Sequence, residues 1–275
     1  MGGYPMNSAF RIVLALLLLI GPAVARAGET IRIGGTGSAL GTMKLLGEAF
    51  ARQHPEVDAV TILPSLGSPG GIKALDAGVV DVAVASRPLR DKERRPYQQV
   101  YEYGRSPFGL VTNKAGVDGL TAREVADMLT GRMAQWPDGD PVRIVLRPET
   151  DGDNRYFGEM APGIAEALEV AHRRPGMIVA ATDQDAADEA ERQPGSLATN
   201  TVALLRAEGR NLHMIALDGA QPTPQALADG SYRFYKPYFM VIRNDASPAV
   251  AAFAEFVRGS EARTILEASG HLVAD

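Results

Sequence analysis

The 275-residue sequence contains no cysteine. That absence excludes a disulfide framework, a thiolate metal site and a thiol nucleophile. It also leaves no residue for the lipid that tethers many exported proteins. Tryptophan occurs once, at Trp136, and histidine four times, at His54, His172, His213 and His271. No two histidines stand at metal-ligand spacing, and neither H-E-x-x-H nor G-x-S-x-G is present. Asp138-Gly139-Asp140 and Asp151-Gly152-Asp153 resemble fragments of a calcium loop, but no glutamate follows at the spacing such a loop needs. His213 falls in an apolar stretch and reads as a hydrogen-bonded structural residue. The sequence therefore assigns no catalytic residue, no metal ligand and no cofactor, and a secreted phosphoester hydrolase is the weakest of the function classes considered.

Basic excess is lacking as well. The chain carries 28 Lys and Arg against 33 Asp and Glu, a net charge of −5. Only Arg11 and Arg26 are charged before residue 28, so the remainder holds 26 basic against 33 acidic residues, or −7. Such a surface argues against nucleic acid and anionic membrane as partners. The one long apolar run, residues 12–20, is short of the roughly 20 residues that span a bilayer. It follows Arg11 and precedes Gly21-Pro22, and Ala23-Val24-Ala25 and Ala25-Arg26-Ala27 both have the shape of a secretory cleavage site. Residues 1–27 are thus expected to be a signal peptide, cleaved near Arg26 or Gly28, with Met6 an alternative start. The expected product is a freely diffusing periplasmic monomer. No solenoid-length repeat or low-complexity segment occurs, and 45% apolar with 22% charged residues fits a globular chain.

What is present centres on residues 62–90. A strand at 62–63 leads into Pro64-Ser65-Leu66-Gly67-Ser68-Pro69-Gly70-Gly71, then a helix stopped by Gly78, then a strand at 79–86. Ser68 suits the N-cap and Pro69 the first helical position. Glycines such as Gly70 let the helix start approach a ligand, and its unpaired N–H groups with Ser65 and Ser68 hydroxyls favour an anion. The same unit precedes it: a strand at 30–33, Gly34-Gly35-Thr36-Gly37-Ser38, then a helix with Met43, Leu46 and Phe50 on one face, closed near Pro55. In a parallel α/β sheet both loops lie at the same edge, where ligands bind.

Farther along, strands are expected at 57–63, 110–112, 144–146, 177–181, 212–217 and 238–242. Thr121-Ala122-Arg123-Glu124 is a capping box, a helix is expected from Asn154, and residues 183–192 read as a solvated helix or loop. Pro194-Gly195-Ser196 reads as a loop before a helix at 201–207, and Ser247-Pro248 opens another helix.

In order and spacing these features resemble the periplasmic phosphate-binding proteins of ABC transporters, within the type II periplasmic-binding-protein superfamily. The likeness rests on Gly37-Ser38, Gly67-Ser68-Pro69-Gly70-Gly71, Val80-Asp81, Ala85-Ser86-Arg87-Pro88, Gly131 with Trp136, Arg147, Pro194-Gly195-Ser196 and Gly230-Ser231-Tyr232. It implies an α/β, two-lobed fold, each lobe a mixed sheet flanked by helices, with the ligand cleft between them. Lobe one would be residues 28–111 plus 241–275 and lobe two 112–240. The implied function is capture of a small oxyanion, phosphate or a relative, for a transporter permease; the alternative is a solitary periplasmic sensor or scaffold of the same fold.

The family's contacts carry over to the Ser38 hydroxyl with the Ala39 N–H, to Ser68 at its helix start, to Ser86, and to Arg147 as counter-charge. A guanidinium suits tetrahedral oxyanions and stays charged. Where the family continues with Ser-Gly-Thr, this chain has Asp151-Gly152-Asp153. Ionised carboxylates only accept hydrogen bonds, so two readings stay open: an aspartate merely caps the following helix, or the pocket takes a more protonated or less charged ligand.

Overall fold

The computed structural model describes residues 28–273; the expected signal peptide lies outside the described residues. The chain opens with β1 (Glu29–Gly35), α1 (Gly37–Gln53), β2 (Val57–Ile62), α2 (Gly67–Asp76) and β3 (Val82–Ala85). β1 pairs in parallel with β2 on one side and β3 on the other, so the alternation seen in the sequence becomes a parallel sheet with both glycine loops at one edge. Met43, Leu46 and Phe50 are fully buried under that sheet.

There follow β4 (Gln98–Thr112), β5 (Gly119–Leu120), α3 (Ala122–Thr130), β6 (Arg143–Leu146), α4 (Gly152–Gly158), α5 (Ile164–Arg173), β7 (Ile178–Val179) and α6 (Asp183–Arg192). The chain continues through β8 (Ser196–Thr201), α7 (Val202–Ala207), β9 (His213–Met214), β10 (Ala216–Leu217) and α8 (Pro224–Ala228) to β11 (Tyr235–Arg243), α9 (Pro248–Val257) and α10 (Ser260–Ala268). The main sheet runs β2-β1-β3-β11-β4-β8-β6-β7, with β9 on β4; β5 and β10 form a separate pair.

β4 and β11 form an antiparallel ribbon from Gln98↔Arg243 to Pro107↔Tyr235, with a register shift between Tyr238 and Phe239. Beyond it, Phe108 to Val111 pair instead with β8. The ribbon joins two separate cores. Tyr103, Tyr238 and Met240 belong to one, with β1, α1, α9 and α10; Phe108, Leu110 and Trp136 belong to the other, with α3 and α5. This is the two-lobed α/β architecture, with one large mixed sheet, flanked by helices, running through both lobes in place of the expected sheet in each. Among the described residues no helix is long and apolar enough to cross a membrane.

Several elements differ from expectation. The expected strand at 110–112 is only the end of β4, whose earlier part carries Gly104, Pro107 and Gly109 and therefore reads as turn. Between the loop expected at Pro194-Gly195-Ser196 and the helix expected from Thr201 lies a strand the sequence does not announce, β8, and every residue of it is buried. Its polar side chains find partners: Thr201 Oγ1 takes the Leu204 N–H and Asn200 Nδ2 donates to the Asp183 carbonyl. α2 begins one residue before Ser68, with Leu66 as its N-cap. α6 is amphipathic, burying Asp183, Ala186, Ala187 and Ala190. His213 does hydrogen-bond a backbone carbonyl, that of Val117, at 3.1 Å.

Candidate functional site

The two helix starts of the first lobe are brought together by glycine. Gly35 has φ +150°, and a Cβ there would lie 2.0 Å from the Val84 carbonyl oxygen. A Cβ on Gly71 would lie 2.5 Å from Gly35 Cα, so α2 rests directly on the end of β1 near its start. Four hydroxyls gather at this point. Thr36 Oγ1 donates to Ser86 Oγ at 3.1 Å and lies 3.5 Å from Ser38 Oγ. Ser68 Oγ accepts the Ser86 N–H at 3.1 Å, tying α2 to the end of β3 instead of capping its own helix. The Ala39 N–H is committed to the Thr36 carbonyl at 3.2 Å.

The second lobe contributes Arg147, just past the end of β6 and 6% exposed. Its Nη1 donates to the Ala180 carbonyl at 2.9 Å and its Nη2 to Asp151 Oδ2 at 2.8 Å. The other oxygen of Asp151 accepts the Asp153 N–H at 2.9 Å, so this aspartate is the N-cap of α4 as well as an arginine partner. Asp153 turns inward. Its Oδ2 lies 3.7 Å from Arg147 Nε and its Oδ1 2.5 Å from Lys236 Nζ. Arg147 Nε is buried without a hydrogen-bond partner.

Lys236 and Asp183, which sequence reasoning missed, complete the cluster. Lys236 Nζ lies 3.1 Å from Asp183 Oδ1 and 5.0 Å from the centre of the Phe108 ring. Asp183 Oδ2 in turn accepts the Ser38 N–H at 3.1 Å. A signal for Lys236 existed: a lone lysine inside Tyr235-Lys236-Pro237-Tyr238-Phe239 must find a counter-charge if that strand is buried. Asp183 had none, because an acid in the first turn after Thr182 looks like ordinary helix chemistry.

Fully ionised, the cluster sets Arg147 and Lys236 against Asp151, Asp153 and Asp183. Burial pushes Asp153 up to about 6, with Asp183 and Asp151 adding to the rise and Lys236 and Arg147 opposing it. Burial acts on Asp183 in the same sense, but Lys236 and Arg147 outweigh it and its pKa lies below the ordinary carboxylate value. For Lys236 burial favours the neutral amine, and the Asp153 and Asp183 carboxylates overcome this to raise its pKa.

A cleft of about 580 Å³ opens over this cluster, lined by residues of both lobes. Of the expected site residues, Ser68, Ser86, Arg147, Asp151, Gly152 and Asp153 line it, together with Thr36, Tyr156 and Asp183. Ser38 and Ala39 lie fully buried behind it and Gly70 lies in the first turn of α2 beside it. Tyr156 spans the cleft, donating from its hydroxyl to the Ser86 carbonyl at 3.2 Å. None of the four histidines lines the cleft. Among the described residues no group of three or more His, Asp or Glu side chains is arranged to hold a metal ion. The arrangement can bind and orient a small polar ligand by hydroxyl, N–H, guanidinium and carboxylate groups.

Residues 21–261 match the model of a family described as the PBP superfamily domain. The phosphate-binding protein PstS of Staphylococcus saprophyticus is 20% identical over 229 residues, 78% of this chain and 70% of that protein. A solved phosphate ABC transporter substrate-binding protein from Clostridium perfringens, with bound phosphate, superposes with a TM-score of 0.73 at 21% identity, covering 90% of this chain and all of that one. The periplasmic molybdate-binding protein of Azotobacter vinelandii superposes with a TM-score of 0.60 at 15% identity, covering 89% and 100%. At these identities the structural likeness speaks to the fold.

Proposed function

The chain belongs to the PBP superfamily, whose fold is that of binding proteins, and we propose that this member is an extracytoplasmic solute-binding protein that captures a small oxyanion for an ABC transporter. One observation carries the reading: the interlobe cleft joins the clustered hydroxyls and helix starts of one lobe to the buried Arg147 of the other. Donors from both sides around one guanidinium are what a tetrahedral oxyanion needs. The relatives named for phosphate and molybdate binding support the same class of ligand.

The lobes meet where the β4–β11 ribbon passes from one core to the other, between Tyr103 and Phe108 and between Phe234 and Tyr238. Lobe one is then the first part of the chain with its C-terminal helices, and closure is a hinge motion about that ribbon. The protein acts as a periplasmic monomer released from its signal peptide, delivers ligand to a permease, and does not turn it over. No nucleophile–base pair among the cleft residues supports catalysis.

Calorimetric titration of phosphate, sulfate, molybdate and organic phosphonates at two pH values tests the reading. Saturable binding of at least one is expected. If no oxyanion binds, the same fold serves instead as a sensor or scaffold. Steady phosphoester hydrolysis that survives purification and disappears on substituting a single aspartate or histidine of the chain supports the enzyme reading.

A further inference from the structure

The N-terminus of the 17-residue helix α1 faces the junction of the two lobes, and a charged group already occupies it. Asp183 Oδ2 accepts the Ser38 N–H at 3.1 Å across 145 residues of chain. Its other oxygen lies 3.1 Å from Lys236 Nζ. The carboxylate is buried, 6% exposed, so these donors serve it in place of water. Its neighbour Gln184 donates from Nε2 to the Gly37 carbonyl at 2.8 Å, holding the start of α6 against the start of α1. An anionic oxygen between a helix start and an ammonium has the coordination that an oxyanion oxygen of a ligand would take.

We infer that Asp183 is a resident counter-anion, a tethered carboxylate that fills the seat made by the Ser38 N–H and Lys236 and so sets which oxyanions the cleft accepts. This rests on the oxyanion reading of the cleft and deepens it. A ligand oxygen entering the seat must displace a competitor already held in place by the fold. A ligand lying beside it meets the carboxylates of Asp153 and Asp183, which only accept hydrogen bonds. Either route selects against fully ionised dianions. The favoured ligand is a singly charged oxyanion that brings its own O–H donors to Asp153 and Asp183. Asp151 does not share this role, because its carboxylate sits on the α4 cap and Arg147 and not between the Ser38 N–H and Lys236.

The test is calorimetric titration of phosphate and sulfate at pH 7.5 into the full mature chain and its Asp183→Asn and Asp183→Ala forms, with circular dichroism and melting curves to establish folding. Asp183→Ala vacates the seat and should raise phosphate affinity about tenfold or more, the equivalent of about 1.4 kcal/mol. Asp183→Asn keeps the shape, removes the charge and should give a smaller gain in the same direction. Sulfate, which carries no proton at this pH, should gain more than phosphate. Folded variants that bind phosphate no better than the parent overturn the inference while leaving the oxyanion reading intact. Failure of all three proteins to bind either anion overturns both, and binding by the variants alone supports both. Should the alanine form not fold, the asparagine form decides.

Discussion

Lys236 Nζ and Asp153 Oδ1 lie 2.5 Å apart, with the two side chains only 1% and 9% exposed. The lysine arrives on β11 and the aspartate on the first turn of α4, so this buried pair fixes the ribbon to the second lobe beneath the cleft. A buried pair is weak evidence for stability, because desolvation of both charges opposes their attraction; breaking it by removing one partner is a different matter.

Lys236→Met leaves Asp153 and Asp183 buried without their shared ammonium. The expected loss of unfolding free energy is about 3–5 kcal/mol, measured by urea denaturation. Adding Asp153→Asn should recover a substantial part of it. A loss within the scatter of surface substitutions would show that the lysine is not holding the cluster.

Arg147→Ala should weaken oxyanion binding about 100-fold or more, by analogy with the 3–5 kcal/mol attached to an uncompensated buried charge. Calorimetry on the folded variant checks it. Because Nη1 also supports the Ala180 carbonyl, Arg147→Lys is the useful companion: it keeps the charge but not the fork, and its affinity should fall between the other two.

The Asp151→Ser, Asp153→Thr double form should bind phosphate more tightly near neutral pH. Serine retains a cap for α4, so the stability cost of that change should not exceed about 0.5–2 kcal/mol. The cluster then sets Arg147 and Lys236 against Asp183 alone. The parent should bind phosphate better as pH falls through about 6, where Asp153 takes up a proton, and the double form should lack that step. Titration at pH 7.5 and 5.5 compares them; equal pH dependence would remove Asp153 from ligand recognition.

Two buried groups should oppose each other in the pH dependence of stability. Burial pushes His271 from 6.5 down to about 4. Its contribution is complete above pH 6.5 and is lost as pH falls towards 4, because the unfolded imidazole takes up a proton that the folded one refuses. Asp153 acts in reverse: the folded protein takes a proton near 6 that the unfolded carboxylate accepts only near ~3.9, so its contribution to stability rises as pH falls through that interval. One proton corresponds to about 1.4 kcal/mol per pH unit, and the two slopes cancel between about 4 and 6. Asp153→Asn should expose the histidine slope. Parallel stability–pH curves for parent and variant would contradict this.

The opening strand–helix alternation was legible because its signals are local: an i, i+3, i+7 stripe, glycines at strand ends and Pro69 in a first turn. So were the caps. Thr121 accepts the Glu124 N–H at 3.2 Å while Glu124 accepts the Thr121 N–H at 2.7 Å, and Ser247 accepts the Val250 N–H at 3.2 Å. Arg147 at a strand end could be singled out, and so could the cap at Asp151; that Asp153 turns towards Arg147 and Lys236 depends on residues distant in sequence. β8 escaped because its polar side chains give no strand signal of their own and are buried only with help from other elements, such as the Asp183 carbonyl for Asn200 and the Tyr238 hydroxyl for Thr201. Lys236 and Asp183 escaped for the same reason: the distance that matters, Lys236 to Asp183, spans 53 residues of chain, and no local pattern encodes it.

The path of the chain through the two cores has a consequence for the order in which they consolidate. The second core draws on one contiguous stretch, from Phe108 to Leu217 with Phe234 packed against it. The first draws on both ends, since Phe253, Val257 and Leu266 pack with Ile31 and Phe50, and β11 lies between β3 and β4. A chain delivered from its N-terminus can therefore close the second lobe early, while β1–β3 and α1 wait with an unpaired strand edge and an uncovered helix face until the last residues arrive. Non-local pairing of that kind is slow and prone to association while incomplete. Truncation of the final two helices should accordingly harm the lobe that begins the chain, leaving the middle of the sequence the better folded part.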